Sequence, residues 1–100
     1  MIIVSGSLPI DADRRAEALD HVRAVAAATR DEPGNRTYRF TADLDDPGLL
    51  HFYEEWESGD ALEAHNSAPH FVDFLGRIGP LVAGAPTGWR FEVTDSRSLF

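Results

Sequence analysis

Hydrophobic positions along this chain switch between two periods, and the switches mark its elements. Ile2, Val4, Leu8 and Ile10 alternate with Gly6 in phase, which is the period of a strand; Pro9 puts that strand at a sheet edge or marks its end. Asp11 or Asp13 can cap a following helix, in which Ala16, Leu19, Val22, Arg23 and Ala26 recur at helical spacing. The alanines between 24 and 28 let that helix lie close against a sheet. Glu32-Pro33-Gly34-Asn35 then breaks it and turns the chain. On a second strand Tyr38, Phe40 and Ala42 face one way, and Thr37, Arg39 and Thr41 the other. Asp45-Asp46-Pro47-Gly48 predicts a hairpin into a third strand, from about Leu49 to Glu57. That strand has Leu50, Phe52, Glu54 and Trp56 on one face and His51, Tyr53 and Glu55 on the other.

Ser58 suits the N-cap of a short helix through Ala61, Leu62 and His65. Pro69 interrupts it and opens a second segment, where Phe71, Phe74, Leu75, Ile78 and Leu81 form an apolar stripe. Gly84, Pro86 and Gly88 make a loop, and Trp89, Phe91 and Val93 alternate on a last strand. The order β-α-β-β-α-β predicts an α+β, ferredoxin-like fold: one antiparallel sheet carrying its helices on one face, in a single domain over residues 1–100. Large residues on the other face also need cover, and a homodimer is the simplest way to supply it.

Composition narrows the function. With 43% hydrophobic and 26% charged residues the chain is globular, not disordered. A net charge of -8, with nine basic residues and no basic cluster, argues against nucleic acid and anionic membrane surfaces as partners. The absence of cysteine removes disulfides, iron–sulfur clusters, thiolate zinc sites and a cysteine nucleophile. The apolar start lacks a basic leader and reads as a strand, and no apolar run reaches the roughly 20 residues of a membrane span, so a cytoplasmic protein is expected. No nucleotide-binding loop or nucleophile elbow is present. No histidine pair has metal-ligand spacing, and Pro69 breaks the helix between His65 and His70, so no metal is expected.

The candidate chemistry lies between Tyr53 and Phe71. His65 shares a helical face with Ala61 and is directed toward the interior, either as a base or hydrogen-bond partner for a ligand, or as a bonded core histidine. Glu54 shares a face with Phe52 and Trp56; a buried glutamate needs a partner, and Arg39 or His65 is available. Trp56 and Trp89, with Phe40, Phe52, Phe71 and Phe74, either line a cavity for a flat aromatic molecule or simply fill the core. His70, following Pro69, is a capping or surface group as readily as a site residue.

Taken together, DEPGN at 31–35, YEEWES at 53–58, ALEAH at 61–65 and SAPHF at 67–71 resemble the antibiotic biosynthesis monooxygenase family, which includes quinol monooxygenases. The resemblance spans essentially the whole chain. It implies a dimeric α+β barrel with a pocket in each subunit, where a phenol or quinol reacts with O2 without flavin, haem or metal. On that basis His65 and Glu54 are the expected catalytic pair, Glu54 orienting the imidazole. Trp56, Phe40, Phe74, Phe71, His70 and Arg39 are the expected substrate-binding residues. Haem-degrading relatives hold haem through a histidine on the last helix, and the matching stretch here, FVDFLGRIG, has none. A non-catalytic dimeric module for aromatic ligands, or an isomerase of a small polar metabolite, are the alternatives.

Overall fold

The first strand, β1 (Ile2–Pro9), stops at its proline, so no ladder hydrogen bond is lost and the strand lies inside the sheet instead of at its edge. The computed structural model describes all residues from Met1 to Phe100. A 3-10 turn capped by Asp11 leads into α1 (Arg15–Arg30), followed by β2 (Asn35–Ala42), β3 (Leu49–Trp56), α2 (Gly59–Asn66), α3 (Pro69–Ile78) and β4 (Thr87–Glu92). The strands form one antiparallel sheet in the order β2-β3-β1-β4, the ferredoxin-like α+β arrangement. No helix is long and apolar enough to cross a membrane.

The core lies between the sheet and α1 and α3. Ile2, Leu8, Leu50 and Trp56 from the strands meet Val22, Val25 and Ala26 of α1 and Phe74 and Ile78 of α3. The buried face of α1 is Ala18, Val22, Val25, Ala26 and Thr29, whereas Ala16 and Arg23 are exposed. Val22 and Ala26 are on the expected face, with Leu19 packed at its side, while Ala18, Val25 and Thr29 complete it in place of Ala16 and Arg23, because alanines occur all round this helix and period alone cannot choose among its faces. Ser58 Oγ accepts the Ala61 N–H at 3.2 Å and starts α2. Pro69 opens α3, and Ala68 before it is extended, as the residue preceding proline prefers.

Cross-strand partners share a face of the sheet. Tyr38, Glu54, Val4 and Arg90 therefore form one row across all four strands under the helices, and Phe40, Phe52, Gly6 and Gly88 form the next. Gly6 is needed there: a Cβ on it would come within 2.0 Å of the Thr87 carbonyl oxygen and 2.5 Å of the Phe52 ring. The face turned away from the helices carries exposed Tyr53 and Phe91.

Candidate active site

A turn builds the centre of the site. After α1 the chain reverses through Pro33 and Gly34, whose φ of 82° is open to glycine and strained for other residues. Gly34 is pressed so closely on α2 that a Cβ on it would lie 2.7 Å from the Ala61 Cβ. Its carbonyl oxygen accepts the Glu57 N–H at 2.8 Å, which ties the turn to the end of β3. The carboxylate of Glu32 is thereby carried beneath α2, where its Oε1 accepts from His65 Nδ1 at 3.0 Å. The same oxygen is hydrogen-bonded by His70 Nε2. His65 is buried, with 1% of its surface accessible, whereas His70 is partly exposed.

The expectation that Pro69 keeps His65 and His70 apart is corrected. The proline does break the helix, but the break turns α3 so that both imidazoles converge on Glu32, their ligand-type atoms and the carboxylate oxygen within 4.8 Å of one another. A divalent ion is within the reach of such a trio. In this structure both nitrogens hydrogen-bond the same Oε1.

The expectation that Glu54 orients His65 is corrected as well. Glu54 is buried on β3 and accepts a hydrogen bond from Trp56 Nε1 at 3.0 Å, since residues two apart on a strand project from the same face. Burial raises the Glu54 carboxyl above its ordinary value; the indole N–H opposes this and the Glu32 charge adds to it. Arg39, the other expected partner, is exposed on the opposite face of the sheet, because the alternation that turns Tyr38 and Phe40 inward turns Arg39 out. Burial also raises the Tyr38 phenol, reinforced by the charges of Glu54 and then Glu32.

Burial acts on His65 in the opposite sense, lowering it below the ordinary imidazole value against the raising effect of Glu32. His65 is consequently neutral at physiological pH. The tautomer follows from its partner: Nδ1–H donates to the Glu32 carboxylate, and Nε2 keeps its lone pair. Nε2 has no hydrogen-bond partner within the protein. The ring is caged by Phe71, Trp56 and Tyr38, with centroid separations of 4.4, 4.9 and 5.3 Å.

His65 borders a cavity of about 420 Å³ between the sheet and α2–α3, walled mainly by Tyr38, Phe40, Phe52, Phe71, Phe74 and Ile78, with Glu54 among them. Of the expected substrate-binding residues, Phe40, Phe71 and Phe74 are brought to this wall and three are not. Trp56 is fully buried behind it, fixing Glu54 and packing at a tilt against His65. His70 borders a separate surface cleft with His21, Asp73 and Arg77. Arg39 lies outside, for the reason given above. Glu32 was not among the expected site residues. Its only sequence signal is its place in the DEPGN turn, and no periodicity aims a turn residue at a helix 33 positions away.

Comparison with known proteins gives a consistent result. The family model described as antibiotic biosynthesis monooxygenase matches residues 1–77. An uncharacterized protein of Synechocystis sp. is 24% identical over 98 residues, covering 98% of this chain and 67% of its own length. A candidate antibiotic biosynthesis monooxygenase from Deinococcus radiodurans superposes with a TM-score of 0.91 at 25% identity, covering 100% of this chain and 99% of that one. A second such candidate, from Caulobacter crescentus, gives 0.90 at 27% identity, with 94% and 90% covered.

Proposed function

The chain belongs to the antibiotic biosynthesis monooxygenase family, and we propose that it oxidises a phenolic or quinol aromatic compound with O2 in the cavity beside His65, without an added cofactor. The observation that carries this reading is a neutral, carboxylate-held imidazole that lines an aromatic-walled cavity and whose Nε2 has no partner in the protein. Such a nitrogen takes the proton of a bound hydroxyl. The resulting electron-rich anion gives one electron to O2, and the two radicals combine as a peroxide on a ring carbon. Loss of water from that peroxide leaves a carbonyl. The substrate thus loses two hydrogens and gains one oxygen atom, while the second oxygen departs as water with those hydrogens; all four electrons come from the substrate.

Glu32 holds the imidazole in the reactive tautomer and stabilises its protonated form. His70, on the same carboxylate and partly exposed, gives the proton a way out that avoids the apolar cavity. Apolar walls suit both the ring system and O2, and they keep water from the peroxide. In this reading the protein works as a homodimer packed through the sheet face that exposes Tyr53 and Phe91.

The test is oxygen consumption with a panel of anthrones and hydroquinones under 18O2. The expected result is one labelled oxygen per product molecule, with turnover reduced about 10²- to 10⁴-fold in His65→Ala, the range for loss of a general base. Binding of the same compounds without oxygen uptake overturns the reading in favour of a non-catalytic module, and full turnover by His65→Ala overturns the role of His65.

A further inference from the structure

We propose that the cavity contains an anion subsite at Arg90, so that the aromatic compound it accepts carries a carboxylate at the end opposite the hydroxyl that meets His65. Arg90 belongs to the same cross-strand row as Tyr38, Glu54 and Val4, and it is the one arginine or lysine on the cavity wall. Two strand spacings separate it from Glu54, about 10 Å at the usual 4.8 Å per strand. That backbone separation is comparable to the length of two fused aromatic rings.

Being unpaired and on the cavity wall at once sets Arg90 apart; Arg15 and Arg39 also lack a partner but lie off that wall. There are 17 acidic residues against nine basic ones, so carboxylates are plentiful. Arg14, Arg23, Arg77 and Arg97 each pair with one, and Arg30 donates to the Tyr38 carbonyl. The Arg90 guanidinium has no hydrogen-bond or ion-pair partner in the protein. Arg90 is exposed at the cavity rim, and its Nη2 lies 2.9 Å from where a Cβ on Gly59 would stand, so the free end of the side chain rests by the start of α2. A planar, permanently charged fork held at an apolar wall is suited to two-point recognition of a carboxylate. Toward the other end of the row lie the Glu54 carboxyl and the Tyr38 phenol, which offer an anion no positive charge, so the row has polarity and fixes which way round the molecule enters.

This inference rests on the oxidation reading only for calling the hydroxyl end the reacting end; binding tests it without turnover. By calorimetry, 6-hydroxy-2-naphthoate is expected to bind the full-length protein about tenfold or more tightly than its methyl ester, as loss of one hydrogen-bonded charge pair implies. Arg90→Ala should abolish that preference while leaving the affinity for the ester unchanged, and Arg90→Lys should restore part of it. Gly59→Ala provides a second route, because its methyl displaces the guanidinium without removing it, and the preference should fall there too. Equal affinity for acid and ester in the unaltered protein overturns the subsite, and so does an equal weakening of both by Arg90→Ala. Acid-selective binding that is lost in Arg90→Ala, with no oxygen uptake on any substrate, supports the subsite and removes the oxidation reading alone.

Discussion

Two carboxylates stand near the same imidazole, in regions of different construction. Glu54 sits in the middle of regular structure, on β3, and its neighbours follow from strand alternation: Trp56 two residues on, Tyr38 and Val4 across the ladders. Glu32 sits in a turn and reaches His65 only because Gly34 fits against Ala61 and the Glu57 N–H closes on the turn. The regular region supplies a carboxyl that burial pushes toward its neutral form. The irregular region supplies the carboxylate that bonds both histidines. A strand fixes direction at the outset, whereas a turn can be set wherever the surrounding packing leaves room, and here the directing carboxylate of the site is on the turn.

The sharpest way to break this contrast is to neutralise each carboxyl in turn. Glu32→Gln should lower kcat about 10- to 100-fold, the size expected for losing a hydrogen bond to a charged group, whereas Glu54→Gln should stay within about threefold of the unaltered protein. Steady-state oxygen uptake decides it; a larger loss from Glu54→Gln would reverse the assignment. Next comes the turn itself. Gly34→Ala should cost about 1–3 kcal/mol in denaturant unfolding, from positive-φ strain and the contact with Ala61. Its effect on rate should not add to that of Glu32→Gln, because both act on one carboxylate.

A smaller effect separates the two by pH. Glu54 has a raised value in the fold, so its contribution to stability is complete below the ordinary 4.5 and is lost as pH rises through the folded value. Glu54→Gln should therefore melt at the same or a slightly higher temperature than the unaltered protein at pH 7, by less than about 1 kcal/mol, and the difference should vanish toward pH 4.5. His65 shows the opposite sign. Its folded value is depressed, so in the window below 6.5 the unfolded chain binds the extra proton and stability rises with pH. Turnover should rise through the same window and level off above it; a pH–rate profile still climbing well past 6.5 would mean that another group supplies the base.

What the sequence made legible follows the same division. Alternation in Ile2–Pro9, Asn35–Ala42 and Leu49–Trp56, the cap at Ser58 and the proline at 69 are local signals, and the elements they mark fold in the expected order. The inward direction of His65, Phe40 and Phe74 was legible for that reason. The Glu32–His65 and Glu32–His70 contacts were not, because they join residues 33 and 38 positions apart through a turn with no period of its own. Arg90 was missed differently. The reading of β4 rested on the alternation of Trp89, Phe91 and Val93, while the register of β4 against β1 puts Arg90, not Trp89, in the row with Val4 and Glu54.

The two glycines beneath the Phe52 ring give the cavity floor an uneven tolerance for change. At Gly6, on a central strand, an added methyl strikes backbone on β4 and has nowhere to go. At Gly88, on the edge strand, the same methyl would meet only the tip of the Phe52 ring, at 3.7 Å, an ordinary packing distance. The depth of the chamber can therefore be retuned one carbon at a time from its rim while the middle stays fixed. A lineage needing a narrower chamber has an accessible route to it, through a position that leaves the sheet, the imidazole and its carboxylate untouched.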